Sequence, residues 1–148
     1  MSILLLSLAG VIISVAIGTL WYSPGTPMGK IHVRYIGFDT LSPEEQRQKI
    51  AVAKPKMPKI YLAQMALSLL TSVATVTIVT MSMKNGITLP MALGFVVFNW
   101  LCFVVPVVGG QILWSNPDSA VAWKKFLSDI ANHLVVILLT ALLASCFV

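Results

Sequence analysis

Charged side chains are scarce in this chain, and acidic ones especially so. Asp, Glu, Lys and Arg together make up 10% of the 148 residues, whereas they make up about 25% of an ordinary soluble domain. Four long apolar runs carry almost none of them, at residues 3–22, 60–83, 89–113 and 126–148. Each run is long enough to cross the hydrocarbon core of a bilayer as a helix. We therefore expect an all-α integral membrane protein with four transmembrane helices in a single polytopic domain, residues 1–148.

Residues that build redox and metal sites are also few. The chain has two cysteines, Cys102 and Cys146, and two histidines, His32 and His133. The cysteines form no CxxC pair and both lie in apolar runs, so the sequence predicts no disulfide framework. It contains no zinc constellation and no cofactor fingerprint. We expect neither a metal nor a cofactor.

The net charge of +5 comes from lysines and arginines that lie between the apolar runs. The first connection carries seven of them and the third carries two, while the second has only Lys84. The positive-inside rule puts the first and third connections, including the inner turn predicted at residues 114–118, in the cytoplasm and both termini on the other side. Basic charge so placed indicates contact with the lipid bilayer rather than with nucleic acid. Because no basic segment precedes the first run, we expect it to remain as a span rather than to be a signal peptide.

A group of ionisable and amide side chains interrupts the last run. Asp129, Asn132 and His133 share one face of a helix, at spacings of three and four residues. An acid and an imidazole in a membrane span face protein or a water-filled cavity rather than lipid, and they mark a functional site by default. Other spans place polar side chains at nearby depths. We expect a cavity open to the cytoplasm whose candidate ligand-binding residues are Asp129, His133, Asn132, Gln64, Ser68 and Asn99.

Small residues and a proline predict how the spans pack. In the first run, small residues recur every four positions, a spacing that lets two membrane helices approach closely. The proline of the third run has no amide hydrogen, so a neighbouring helix or water must satisfy the carbonyl of Cys102. Two glycines follow that proline and allow close approach. We expect helix packing in a four-helix bundle at Gly10, Ser14, Gly18, Pro106, Gly109 and Gly110.

The first connection is expected to hold one short helix. Trp21-Tyr22-Ser23-Pro24 closes the first run, and the proline and glycine that follow it predict an irregular stretch. Ser42 and Glu45 have the spacing of a capping box, which predicts a short amphipathic helix from about residue 43 to residue 53. The lysine–proline segment at residues 54–59 is expected to end that helix.

Three motifs, taken in order, give the chain a family likeness. They are Trp21-Tyr22-Ser23-Pro24 followed by Gly29-Lys30, the helix start Leu41-Ser42-Pro43-Glu44-Glu45, and Asn99-Trp100-Leu101-Cys102-Phe103 in the third span. With these motifs the chain resembles the small four-helix membrane protein family catalogued as domain of unknown function 1761. The resemblance covers nearly the whole chain and implies a four-helix fold in a membrane. It implies no activity.

Three functions remain open on the sequence. The polar residues could form a transport or binding site for a small molecule or a proton, in a chain so short that it needs to form a homo-oligomer. They could serve an intramembrane enzyme of isomerase or cyclase type, with His133 as general acid or base for a lipophilic substrate and Asp129 orienting it. They could also form only a hydrogen-bond network in a structural or partner-binding subunit. No nucleophile motif supports catalysis, so we favour transport or binding and assign no catalytic residue.

Overall fold

The computed structural model describes residues 2–114 and 119–148, and the regular structure of these residues is entirely helical. The α-helices are α1 (Ile3–Trp21), α2 (Pro27–Tyr35), α3 (Pro43–Ala53), α4 (Met57–Lys84), α5 (Leu89–Asn99), α6 (Val105–Trp114) and α7 (Ser119–Ser145). A 3₁₀ turn at Lys54–Lys56 connects α3 to α4, and a π-helix at Trp100–Val104 connects α5 to α6. Except for its first residue, the turn predicted at 114–118 lies outside the described residues.

Four helical stretches are long and apolar enough to cross a membrane. They are Ile3–Trp21, Pro43–Lys84, Leu89–Trp114 and Ala120–Ser145. Each contains one of the four predicted runs or nearly all of it. For the residues that the structure describes, this confirms the prediction of an all-helical chain with four helices long and apolar enough to cross a membrane. Large apolar side chains cover the outside of these helices, among them the exposed Leu20, Leu62 and Leu70. This pattern fits an integral membrane protein, whose outer surface faces lipid.

The stretch after α1, which we expected to be irregular, forms the helix α2. Thr26 caps this helix, because its side-chain oxygen accepts a hydrogen bond of 2.9 Å from the Gly29 N–H. Pro27 follows at the first helical position, where its missing N–H costs nothing. A Cβ on Gly29 would lie 1.9 Å from the carbonyl oxygen of Ser23, so only glycine fits here. The expectation was wrong because Pro27 starts a helix instead of breaking one, and because Gly29 lets that helix pack against the backbone of Ser23.

The predicted helix at residues 43–53 is present as α3, and it begins with the predicted capping box. The Ser42 side chain accepts a hydrogen bond from the Glu45 N–H, and the Ser42 N–H donates to the Glu45 carboxylate. Hydrogen bonds from Ser42 hold the pKa of Glu45 below its ordinary value. The prediction that residues 54–59 end the helical structure is wrong, because the 3₁₀ turn Lys54–Lys56 leads directly into α4. The prolines of this segment lie in first-turn positions, where no N–H is needed.

Helix α7 packs against most of the others, namely α1, α2, α4, α5 and α6. Because α1 also packs against α4, the helices α1, α4 and α7 enclose a common interior. Part of this interior is apolar, with Leu6, Val76, Val79, Ile137 and Ala141 buried together. Another part is lined with hydroxyl groups, since the side chains of Ser7, Ser68, Ser72, Thr75 and Thr140 are buried as well. The interior therefore combines an apolar part with buried hydroxyls, of which those of Ser7, Thr75 and Thr140 bond to carbonyls of their own helices.

Gly10 lies where α1 meets both α4 and α7. A Cβ at this position would lie 2.6 Å from Ser72 Oγ and 2.8 Å from Thr140 Cγ2. One turn further along α1, the hydroxyl oxygens of Ser14 and Ser68 are 3.1 Å apart and share a hydrogen bond. Small side chains thus bring α1 close to α4 and place two hydroxyls in their contact.

A π-helix precedes the proline of the third span. Because Pro106 has no N–H, a regular α-helix here would leave a carbonyl without its donor, and a wider turn is a common local response. The Trp100 ring, in the first residue of the π-helix, donates a hydrogen bond of 3.2 Å from Nε1 to the Ile130 carbonyl of α7. This bond ties the irregular part of the third span to α7.

Candidate functional site: a buried ion pair beside two histidines

The acid of the predicted site is held by an ion pair within its own helix. Lys125 and Asp129 lie four residues apart on α7, and Lys125 Nζ bonds both carboxylate oxygens of Asp129. The two side chains are only 9% and 17% exposed. The hydroxyl of Tyr22, which follows α1, donates a hydrogen bond of 2.7 Å to the same carboxylate. The charge of Asp129 is therefore compensated by Lys125, and its oxygens accept bonds from two parts of the fold.

Aromatic rings surround the lysine. Lys125 Nζ lies 5.2 Å from the centroid of the Tyr22 ring and 5.6 Å from that of the Tyr35 ring. Helix α2 supplies Tyr35 and also His32, whose ring centroid is 5.3 Å from that of Tyr22. Cation–π attraction of this kind stabilises a charge that is removed from water. We call these five residues, Tyr22, His32, Tyr35, Lys125 and Asp129, the Lys125 cluster.

A second hydrogen bond aligns α1 with α7 beside the cluster. Trp21 Nε1 donates to Ser128 Oγ at 3.0 Å. Because Trp21 precedes Tyr22 and Ser128 precedes Asp129, the two neighbouring bonds fix the register of α1 against α7. The sequence Trp-Tyr at the end of the first span thus acts as a pair of donors to α7.

His32 is a member of the cluster that lies outside the membrane-spanning stretches. Its Nδ1 atom is buried and has no hydrogen-bond partner among the described residues. Burial lowers the pKa of His32 below its ordinary value of 6.5, the charge of Lys125 lowers it further, and the charge of Asp129 opposes both. The imidazole is therefore neutral at neutral pH and gains a proton only on acidification.

The other predicted residues of α7 lie about one turn beyond Asp129. Asn132 is 8% exposed, and its Nδ2 atom has no hydrogen-bond partner among the residues that the structure describes. His133 is half-buried. Ser68 of α4 is buried and bonded to Ser14, as described above. Buried donors without a partner are rare in folded proteins, so the Asn132 amide marks a position where water or a ligand is expected.

Two of the predicted cavity residues lie elsewhere. Gln64 is exposed in the first half of α4, and Asn99 is exposed at the end of α5. Asn99 lines two open grooves beside α4, with volumes of about 280 Å³ and 520 Å³. No residue of the Lys125 cluster lines either groove. The structure thus places Asp129, Asn132 and His133 in one region of α7 and Asn99 on a different surface.

The predicted packing positions differ in their surroundings. Gly10 and Ser14 lie at the contacts of α1 described above. A Cβ on Gly109 of α6 would lie 3.5 Å from the Phe126 ring of α7, an ordinary contact distance. Around Gly18 and Gly110 the described residues place no comparable atom within 4 Å, and Pro106 is exposed.

Sequence reasoning missed most of the Lys125 cluster. It used Lys125 only as one of the basic residues that indicate topology, and Tyr22 only as part of the motif that closes the first run and supports the family resemblance. The (i, i+4) spacing of Lys125 and Asp129 was a usable signal, since it places both side chains on one face of a helix. The contact of Tyr22 spans 107 residues of sequence and leaves no local pattern.

The site combines a buried ion pair with neutral groups that can exchange protons. Carboxylate, ammonium, phenol and imidazole groups lie within a few ångströms of one another at the junction of α1, α2 and α7. In the described ranges, no group of three or more His, Cys, Asp or Glu residues could hold a metal ion. The arrangement can relay a proton, and it can bind a small polar molecule through hydrogen bonds.

Comparison with known proteins identifies the family. The model of a family described as "Protein of unknown function (DUF1761)" matches residues 5–145. This match covers nearly the whole chain, so the chain belongs to that family, and the resemblance found in its motifs is confirmed. No curated protein and no solved structure matches the chain. Because the description of the family names no activity, the chemistry of this chain must be inferred from its own residues.

Proposed function

We propose that this member of the DUF1761 family is a self-associating, multi-pass membrane protein that moves a proton, alone or together with a small polar solute. In this proposal the four spans form a four-helix bundle. The Lys125 cluster is the entrance to its polar cavity, and Asn132 and His133 continue the cavity along α7. The chain of 148 residues is small for a transporter that acts alone, which favours a homo-oligomer.

The observation that carries the proposal is the buried Lys125–Asp129 ion pair in a helix that is apolar enough to cross a membrane. A charge at the centre of a membrane helix costs about 2.5–3.5 kcal/mol on insertion scales. Lys125 and Asp129 lie nearer the start of α7, where that cost is lower, but both side chains are largely removed from water, and polar contacts between membrane helices return only about 0.6 kcal/mol on average. Helix packing alone is therefore a weak reason to keep such a pair. Proton transfer requires titratable groups that are shielded from lipid, and the cluster supplies them.

The proposal includes an orientation, with both termini outside the cytoplasm. It rests on the nine lysines and arginines of the first and third connections against the single Lys84 of the second. In a variant without native cysteines, single cysteines placed at Ser42 and Asn85 should react with an impermeant thiol reagent from opposite sides of the membrane. We expect Asn85→Cys to react from outside. Reaction of both cysteines from the same side would contradict the four-span orientation.

Proton flux into vesicles tests the proposed activity. Vesicles that contain the purified protein and a pH-sensitive dye should acidify faster than protein-free vesicles when the outer solution is made acidic. We expect Asp129→Asn and His133→Gln to lower this rate to that of protein-free vesicles. Asn and Gln keep hydrogen-bonding atoms at these positions but do not exchange protons in this pH range.

A matched control comes from the exposed side of α1. Thr19→Val removes a hydroxyl that bonds to the Val15 carbonyl of its own helix, so flux should equal that of the wild type. Circular dichroism of each variant establishes that it is folded. Wild-type flux no faster than in protein-free vesicles would overturn the proposal. Full flux in both Asp129→Asn and His133→Gln would instead assign Asp129 and His133 a structural role.

A further inference from the structure

A primary amide lies on the outside of the third span. Asn99 is exposed at the end of α5, near the middle of the apolar stretch Leu89–Trp114. Lipid tails offer neither donors nor acceptors, so an amide left among them loses the hydrogen bonds that it makes in water. The described residues form no hydrogen bond with the Asn99 side chain, although hydroxyls of α4 line the same grooves, so the amide is open to a polar partner from outside the chain.

The surface around Asn99 combines projecting aromatic rings with open grooves. The rings of Phe95, Phe98 and Phe103 are 46%, 63% and 65% exposed and project beside it. The groove of about 520 Å³ that Asn99 lines runs between these rings and α4, and the groove of about 280 Å³ lies on the other side of Asn99, beside Val96 and Trp100. Projecting rings next to open grooves can interlock with a copy of the same surface. We call Phe95, Phe98, Asn99 and Phe103 the Asn99 face.

We propose that the Asn99 face binds a second copy of this chain, with the two Asn99 amides hydrogen-bonded to each other across a twofold axis. The inference rests on the self-association proposed above and names its surface. An amide carries both donors and an acceptor, so it complements itself when a twofold axis brings the same residue of two chains together. Amide side chains are among the groups that hold membrane helices together by hydrogen bonds.

The chain carries its own reporter for this interface. Cys102 is exposed and lies three residues after Asn99, so it comes close to its symmetry mate in the proposed dimer. In a Cys146→Ser background, mild oxidation of native membranes should give a disulfide-linked dimer that a reductant dissociates. The matched control is a cysteine-free chain with Ile12→Cys. Ile12 is 70% exposed near the middle of α1, a helix that packs against α4 and α7, and this variant should remain monomeric after oxidation.

Removal of the amide tests its role. Leucine has the same number of side-chain heavy atoms as asparagine, and position 99 lies on an exposed surface, so the Asn99→Leu chain should still fold. We expect it to weaken dimer association by about three- to tenfold, because interhelical polar contacts contribute about 0.6 kcal/mol on average in a membrane protein and about 1–2 kcal/mol in model membrane peptides. Analytical ultracentrifugation in detergent measures the change, and the yield of the Cys102 disulfide should fall with it.

The outcomes separate this inference from the proposed function. An oligomer in which Cys102 fails to cross-link would overturn the Asn99 interface and leave self-association standing. A monomeric wild-type chain would overturn both. A monomer that co-purifies with an amphiphile, lost in Asn99→Leu, would show that this face binds lipid rather than a second copy. Proton flux through the Lys125 cluster is measured independently and decides none of these results.

Discussion

Asp129→Leu is expected to lower the free energy of unfolding by about 3–5 kcal/mol, the usual cost of leaving one partner of a buried ion pair alone. The substitution removes the counter-charge of Lys125, whose side chain is 9% exposed, and it also removes the acceptor of the Tyr22 hydroxyl. Denaturation of the purified protein in mixed micelles, followed by tryptophan fluorescence, measures the loss. The variant should unfold at a markedly lower denaturant fraction than the wild type.

The double substitution Lys125→Met with Asp129→Leu is the control. Replacing both members of a buried pair by apolar residues is often neutral or stabilising, so most of the lost stability should return. Wild-type stability in the single variant would contradict the buried position of the pair. Stability that stays low in the double variant would mean that the hydrogen bond from Tyr22, and not the charge, is what Asp129 contributes.

Gly10→Leu should also destabilise the fold, by about 1–3 kcal/mol as for other overpacked interiors. Even the first atom of the new side chain would lie 2.6 Å from Ser72 and 2.8 Å from Thr140, so α1 must move away from α4 and α7. That movement also separates Ser14 from Ser68, whose hydroxyls are bonded one turn away. Thermal unfolding in detergent and the size of the assembly measure the effect.

Gly18→Leu provides the comparison on the same helix. The described residues place no atom within 4 Å of a Cβ at Gly18, so the new side chain meets open space. This variant should retain wild-type stability. Equal stability of Gly10→Leu and the wild type would show that α1 does not pack as the structure has it.

Composition was sufficient to predict the four spans, because a membrane imposes length and hydrophobicity on each span separately. The capping box at Ser42 was predictable because it, too, depends on local sequence, namely on residues within one turn of helix. Helix α2 was not, because proline starts a helix at its first position and breaks it elsewhere, and the sequence does not say which applies.

The site was only partly predictable. Asp129 and His133 stood out because ionisable residues are rare in apolar runs. The donors from Tyr22 and the rings of α2 depend on how α1 and α7 are rotated and aligned, and no local pattern records that rotation. Asn99 illustrates the same limit. We expected it to face the cavity, and its exposure on another surface depends on the rotation of the third span, which a π-helix interrupts.

Helix α3 passes directly into α4, so the position of α3 depends on that of α4. With the 3₁₀ turn between them they form a continuous helical stretch of 42 residues, Pro43–Lys84, which measures about 63 Å along its axis at 1.5 Å per residue. A hydrocarbon core of about 30 Å leaves roughly half of that length outside the lipid. A 3₁₀ turn that contains Pro55, and not a loop, joins the two helices, so the first turn of α4 sets the direction in which α3 leaves it. Since Ser68 and Ser72 of α4 lie against α1, the position of α3 is tied through α4 to the packing of α1.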